Sequence, residues 1–235
     1  ENTVKREERL LIAGIGTLFF IVEAGLSIGT SGVEGLFLSR FGSEALPYMF
    51  LLIGITAPLS LLLTAGAIGR LRPRTLYRVV PVALVFVLFA SRLALIPEPR
   101  WFYPVLYTLR GIASTFTAIF TWGLAGSICT ARQAKRLFPI FAAGGILGSS
   151  TGGVVASAIV RHIGAPNLIL IWSILTAIAL VLIYRLTAGL PERQADKIDE
   201  RGVLAGIVRG YRQIRGSRVM PAFAAMAALF VATYF

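Results

Sequence analysis

Acidic residues are scarce in this chain, with 11 Asp and Glu against 23 Lys and Arg, and it holds a single cysteine and a single histidine. Each shortage excludes something. Cys129 alone cannot close a disulfide within the chain, and with only His162 beside it no soft-ligand set for a metal can be assembled. A packed thiol is expected at Cys129 and a solvated turn residue at His162. No Ser/His/Asp, paired-carboxylate or Cys/His constellation is present, so neither enzyme chemistry nor a resident cofactor is expected. Charged residues of both signs make up 14% of the 235, against about 25% in an average soluble domain.

What fills the chain instead is apolar. Hydrophobic residues reach 56% and mean hydropathy is +0.78, which predicts an all-α polytopic membrane protein. Ten-residue stretches of strand-like alternation are missing, which argues against an outer-membrane barrel. The net charge of +12 reads, in such a chain, as cytoplasmic loops rather than a nucleic-acid partner. The first apolar run is too long for a secretory signal and reads as a true span.

The pattern predicts six spans, the first longer than the roughly 20 residues a bilayer requires: about Leu10–Leu36, Pro47–Gly69 with a kink at Pro58, Leu76–Ile96, Phe102–Cys129, Phe138–Val160 and Leu168–Leu186. Trp101, Phe102 and Tyr103 fit an interfacial aromatic belt. Residues 1–186 thus form an N-terminal six-helix bundle. Residues 187–218 form a basic cytoplasmic linker, and 219–235 begin a seventh helix. The chain starts without Met and stops inside an apolar run, which reads as part of a longer protein. In the linker, Val203, Leu204, Ile207, Val208, Tyr211 and Ile214 recur at helical spacing among Arg201, Arg209, Arg212, Arg215 and Arg218. This is an amphipathic helix suited either to the anionic lipids of the inner leaflet or to joining two bundles.

Lys and Arg are distributed unevenly. Three precede span 1, four lie around the 2–3 turn, three in the 4–5 turn and eight after span 6, making 18 of the 23 on one side. The positive-inside rule puts that side, and the N-terminus, in the cytoplasm.

Inside the spans the charges are few and informative, because an intramembrane ion is costly and marks a pathway or a partner. Glu23 lies 13 residues past Leu10, about 20 Å deep at 1.5 Å per residue. Arg110 lies 8 residues past Phe102, about 12 Å from the opposite surface. Those depths nearly coincide in a core about 30 Å thick, so Glu23 and Arg110 are expected to pair. The pair would be either a substrate-switchable contact or a static salt bridge. Glu34 either lines the mouth of the same cavity or marks the end of span 1. Arg132, Lys135 and Arg136 would form a basic inner rim, serving topology or attracting phosphate groups. Gly144, Gly148 and Gly152 repeat at fours, the small-xxx-small spacing of closely packed helices. Gly148 to Gly153 has phosphate-loop spacing, but Val154 stands where lysine is required, so there is no Walker motif.

Six spans, a basic segment and a seventh span suggest a six-plus-six architecture of the major facilitator kind, in which each half is two inverted three-helix repeats. Spans 1 and 4 would then be equivalent and line the cavity. Two stretches carry a closer resemblance: Leu36-Phe37-Leu38-Ser39-Arg40-Phe41-Gly42 continuing through Leu46-Pro47-Tyr48, and Ala134-Lys135-Arg136-Leu137-Phe138-Pro139 leading into Gly144-Gly145. Both resemble the ATP/ADP translocase-like, nucleotide-transporting branch related to the major facilitator superfamily. Gly69-Arg70-Leu71-Arg72-Pro73-Arg74 looks like a degenerate facilitator signature turn without its aspartate. The resemblance implies a twelve-span carrier in a bacterial inner membrane that exchanges or takes up nucleotides. Some relatives carry appended soluble regulatory domains. The alternatives are a proton-coupled exporter of organic solutes, with Glu23 carrying the proton, and a non-transporting membrane module regulated by soluble sensor domains.

Overall fold

The computed structural model of the chain describes residues 2–68, 73–187 and 226. Six α-helices follow one another: α1 (Asn2–Phe41), α2 (Leu46–Ile68), α3 (Pro73–Ala94), α4 (Phe102–Ile128), α5 (Ala131–Ile163) and α6 (Ala165–Thr187). A single 3-10 turn, Ser43–Ala45, joins α1 to α2. All six are long and apolar enough to cross a membrane, and the chain is a multi-pass membrane protein, all-helical among the described residues. The basic 2–3 turn at 69–72, the linker helix and the seventh span lie outside the described residues.

Helix is the form that satisfies every backbone group without water, and side-chain hydroxyls reinforce it here. Thr56, Ser91, Thr108, Thr115 and Thr176 each donate to the carbonyl four residues earlier, which hides their O–H within the helix. α2 continues through Pro58, the position where a kink is expected. The connections are short. Thr130 caps α5 in a reciprocal box with Gln133. Gly164 turns the chain from α5 into α6 at φ +80°, where a side chain would be strained.

α1 is the central helix, packing against α4, α5 and α6. Toward α5 it runs parallel, Gly16, Phe20 and Ala24 facing Gly144, Gly148 and Gly152 in turn. A Cβ at Gly144 would sit 3.1 Å from the Gly16 carbonyl oxygen and one at Gly152 only 2.5 Å from that of Ala24. At each of these three steps the missing Cβ leaves the α5 backbone against that of α1. Toward α6, α1 runs antiparallel, with the Trp172 ring lying over Gly29 and Leu168 against Gly32. The other contacts are α2 on α4, α3 on α4, α3 on α6 and α5 on α6.

Two aromatic clusters hold the ends. At the end where α1 finishes, here called distal, Val33 and Phe37 meet Met49, Leu95, Tyr103, Leu106, Tyr107 and Ile169. At the proximal end Ile15 and Phe19 meet Ala125, Cys129, Leu137 and Phe141. Cys129 is a packed, free thiol, and burial pushes its pKa up.

Candidate functional site

α4 enters the distal cluster with Tyr103, Leu106 and Tyr107 buried. One turn further on, the same face carries Arg110, because residues three apart on a helix share a side. On α1, Glu34 follows buried Val33 and so borders the same seam. Arg110 Nη1 donates to Glu34 Oε1 at 2.5 Å. Its guanidinium carbon lies 4.5 Å from the centroid of the Tyr107 ring, within cation–π range. The Arg110 side chain is 14% exposed and that of Glu34 42%. Arg110 Nε is buried without an acceptor among the described residues.

The expected Glu23–Arg110 pair is therefore not formed; Arg110 takes Glu34. The helix register explains why. α1 and α4 are antiparallel, with Phe19 packed edge-on against Trp122 at 4.7 Å while Glu34 meets Arg110. Glu23 lies eleven residues from Glu34, about 16 Å along the axis at 1.5 Å per residue. Counting depth from Leu10 misplaced Glu23, because α1 extends from Asn2 to Phe41. Measured from the distal ends, Glu34 is seven residues inside α1 and Arg110 eight inside α4, so these two share a level. Glu34 thus lies well inside α1 rather than at its end.

Glu23 is partly buried on the α1–α5 seam, its Cγ 3.2 Å from where a Cβ at Gly145 would stand. No hydrogen bond or ion pair reaches it among the described residues. Arg132, Lys135 and Arg136 are exposed in the first turns of α5, at the proximal end, far from Arg110. His162 is exposed in the last turn of α5.

No expectation from the sequence covers a partly open cavity of about 40 Å³ between α1, α3, α4 and α6, with Tyr77, Thr117, Phe120, Thr121, Trp172 and Thr176 among its walls. It has room for one or two waters, and none of Glu23, Glu34 or Arg110 lines it. The one pattern that could have pointed to it is the pair of hydroxyls, Thr117 and Thr121, one turn apart on α4.

No family model, no curated protein and no solved structure matches this chain.

Proposed function

We propose that this chain is the N-terminal half of a secondary transporter for an anionic solute, with ATP/ADP-type nucleotides as the leading substrate class, working by alternating access. One observation carries the reading: a largely buried arginine inside a span, held by a half-exposed glutamate and a tyrosine ring, with one N–H lacking an acceptor. A cation held by an exchangeable carboxylate can exchange that partner for a phosphate or carboxylate of similar geometry.

The packing scheme supports the inverted-repeat reading. Exchange α1 with α4, α2 with α5 and α3 with α6, and most contacts map onto one another: α1–α5 onto α2–α4, α1–α6 onto α3–α4, while α1–α4 and α3–α6 map onto themselves; the small α5–α6 contact has no α2–α3 counterpart of like extent among the described residues. The two members of each mapped pair differ in extent, α1 being the more deeply embedded. The sequence distribution of Lys and Arg, 18 of 23 in the N-terminal lead-in and the even-numbered connections, supports a cytoplasmic N-terminus; a bacterial inner membrane is the setting that goes with this reading.

A second reading, a proton-coupled exporter of organic solutes, is favoured by Glu23, an intramembrane carboxylate with no basic partner among the described residues. Uptake of labelled ATP and ADP by proteoliposomes of the full-length protein separates the two. Arg110→Ala is expected to lower nucleotide uptake at least about tenfold, the loss of one charge-assisted contact. Uptake equal to the parent's removes Arg110 from the pathway. If nucleotide is not moved and Glu23→Gln abolishes a proton-driven flux, the exporter reading replaces the first.

A further inference from the structure

The α3–α6 seam is antiparallel and carries an arginine near each end. At the distal end Arg92 Nε donates to Asn167 Oδ1 at 2.9 Å, and at mid-seam Ser173 Oγ donates to the Val85 carbonyl at 3.2 Å. At the proximal end Arg78 has no such partner. Its guanidinium carbon lies 4.4 Å from the centroid of the Tyr184 ring, and its Nε is buried with no acceptor. No carboxylate pairs with it among the described residues. α3 and α6 contain no Asp or Glu, and neither does α4, which also packs against α3.

Its surroundings say which side of the bundle this is. Val79, Val82, Phe86, Phe89 and Leu93 form an exposed apolar stripe along α3, and Ile174, Ile178 and Val181 do the same along α6. Tyr184, 43% exposed, continues the α6 stripe toward the proximal end, and Arg185 stands exposed beside it in the last turn. An apolar wall faces acyl chains. A guanidinium at the end of such a wall, with its flat face on a tyrosine and no carboxylate partner among the described residues, is placed where headgroups lie.

We propose that Arg78, stacked on Tyr184 and flanked by Arg185, binds the phosphate group of an anionic phospholipid at the proximal membrane surface. The tyrosine fixes the plane of the guanidinium, so its remaining N–H groups present a fork to phosphate oxygens, a geometry lysine cannot reproduce. The site is separate from Arg110 and its lipid readout does not depend on transport.

The test reconstitutes the full-length protein in nanodiscs of mixed phosphatidylglycerol and phosphatidylcholine, then counts retained lipids by native mass spectrometry. The parent is expected to retain phosphatidylglycerol preferentially, and Arg78→Ala to lower that preference about tenfold, with Arg78→Lys in between. Arg161→Ala, which removes the same charge from the exposed distal end of α5, is expected to retain the parent's preference. Should Arg78→Ala fail to fold, Tyr184→Leu, which removes the ring that orients the guanidinium, is expected to shift the preference the same way. Equal preference in parent and Arg78→Ala overturns the proposal. So does displacement of the retained lipid by millimolar inorganic phosphate, which would make the ligand a soluble phosphate instead.

Discussion

A guanidinium at the centre of a membrane helix costs roughly 2.5–3.5 kcal/mol on insertion scales. Arg110 offsets that with a carboxylate, an aromatic face and a position eight residues from the helix start. Since Glu34 remains 42% exposed, the pair lies between the surface limit of about 0–1 kcal/mol and the buried-pair limit of about 3–5 kcal/mol for losing one partner. Glu34→Gln is accordingly expected to destabilise the bundle by roughly 1–3 kcal/mol in detergent unfolding. A double-mutant cycle should give coupling of about 1 kcal/mol or more between residues 34 and 110, and less than about 0.5 kcal/mol between 23 and 110. Strong coupling of Glu23 to Arg110 would contradict the register seen here. The sequence showed that Arg110 needed a partner on span 1, because buried charge is rare enough to stand out. It did not show which glutamate, because both Glu23 and Glu34 sit inside an apolar run whose length exceeds one bilayer. Only the helix ends fix depth, and the charged residues before Leu10 concealed that the helix had already begun.

At the scale of elements, the bundle is organised by how closely helices approach α1. Three glycines of α5 place its backbone against that of α1, and Gly25, Gly29 and Gly32 of α1 accept Trp172, Leu175 and Leu168 of α6. The α5 glycines were legible as a four-residue repeat. The α1 glycines follow the same logic at spacings of four and three, but among six glycines in one helix the sequence did not single them out, since their meaning depends on which neighbour brings a large side chain. Gly148→Leu, aimed at the Phe20 carbonyl, and Gly29→Leu, aimed at the Trp172 ring, are each expected to destabilise by about 1–3 kcal/mol or more, the usual cost of overpacking. The readout is a lower unfolding midpoint in detergent. Val154→Leu, on the exposed face of α5, should leave the midpoint within the scatter of the parent. A Gly148 variant as stable as Val154→Leu would mean that the α1–α5 contact is not close-packed.

For the whole molecule, the question is which end faces the cytoplasm. The two ends differ in kind. The distal surface ties its few cations into local contacts, Arg40 to Glu98 and to the Tyr103 ring, Arg100 to the Phe41 ring and Arg92 to Asn167. The proximal surface carries Arg132, Lys135 and Arg136 close together in the first turns of α5. Translocation disfavours short segments rich in Lys and Arg, and acidic residues count little toward that bias. Orientation is therefore expected to follow from where the cations lie. Single cysteines report it directly, because the one native thiol, Cys129, is buried with a raised pKa and so contributes little background labelling. In intact cells, cysteines placed at Glu98 and His162 are expected to react with a membrane-impermeant maleimide. Those at Lys135 should react only after permeabilisation. Labelling of Lys135→Cys in intact cells, with Glu98→Cys silent, would invert the molecule. The phosphate-binding surface argued for Arg78 would then face the outer leaflet.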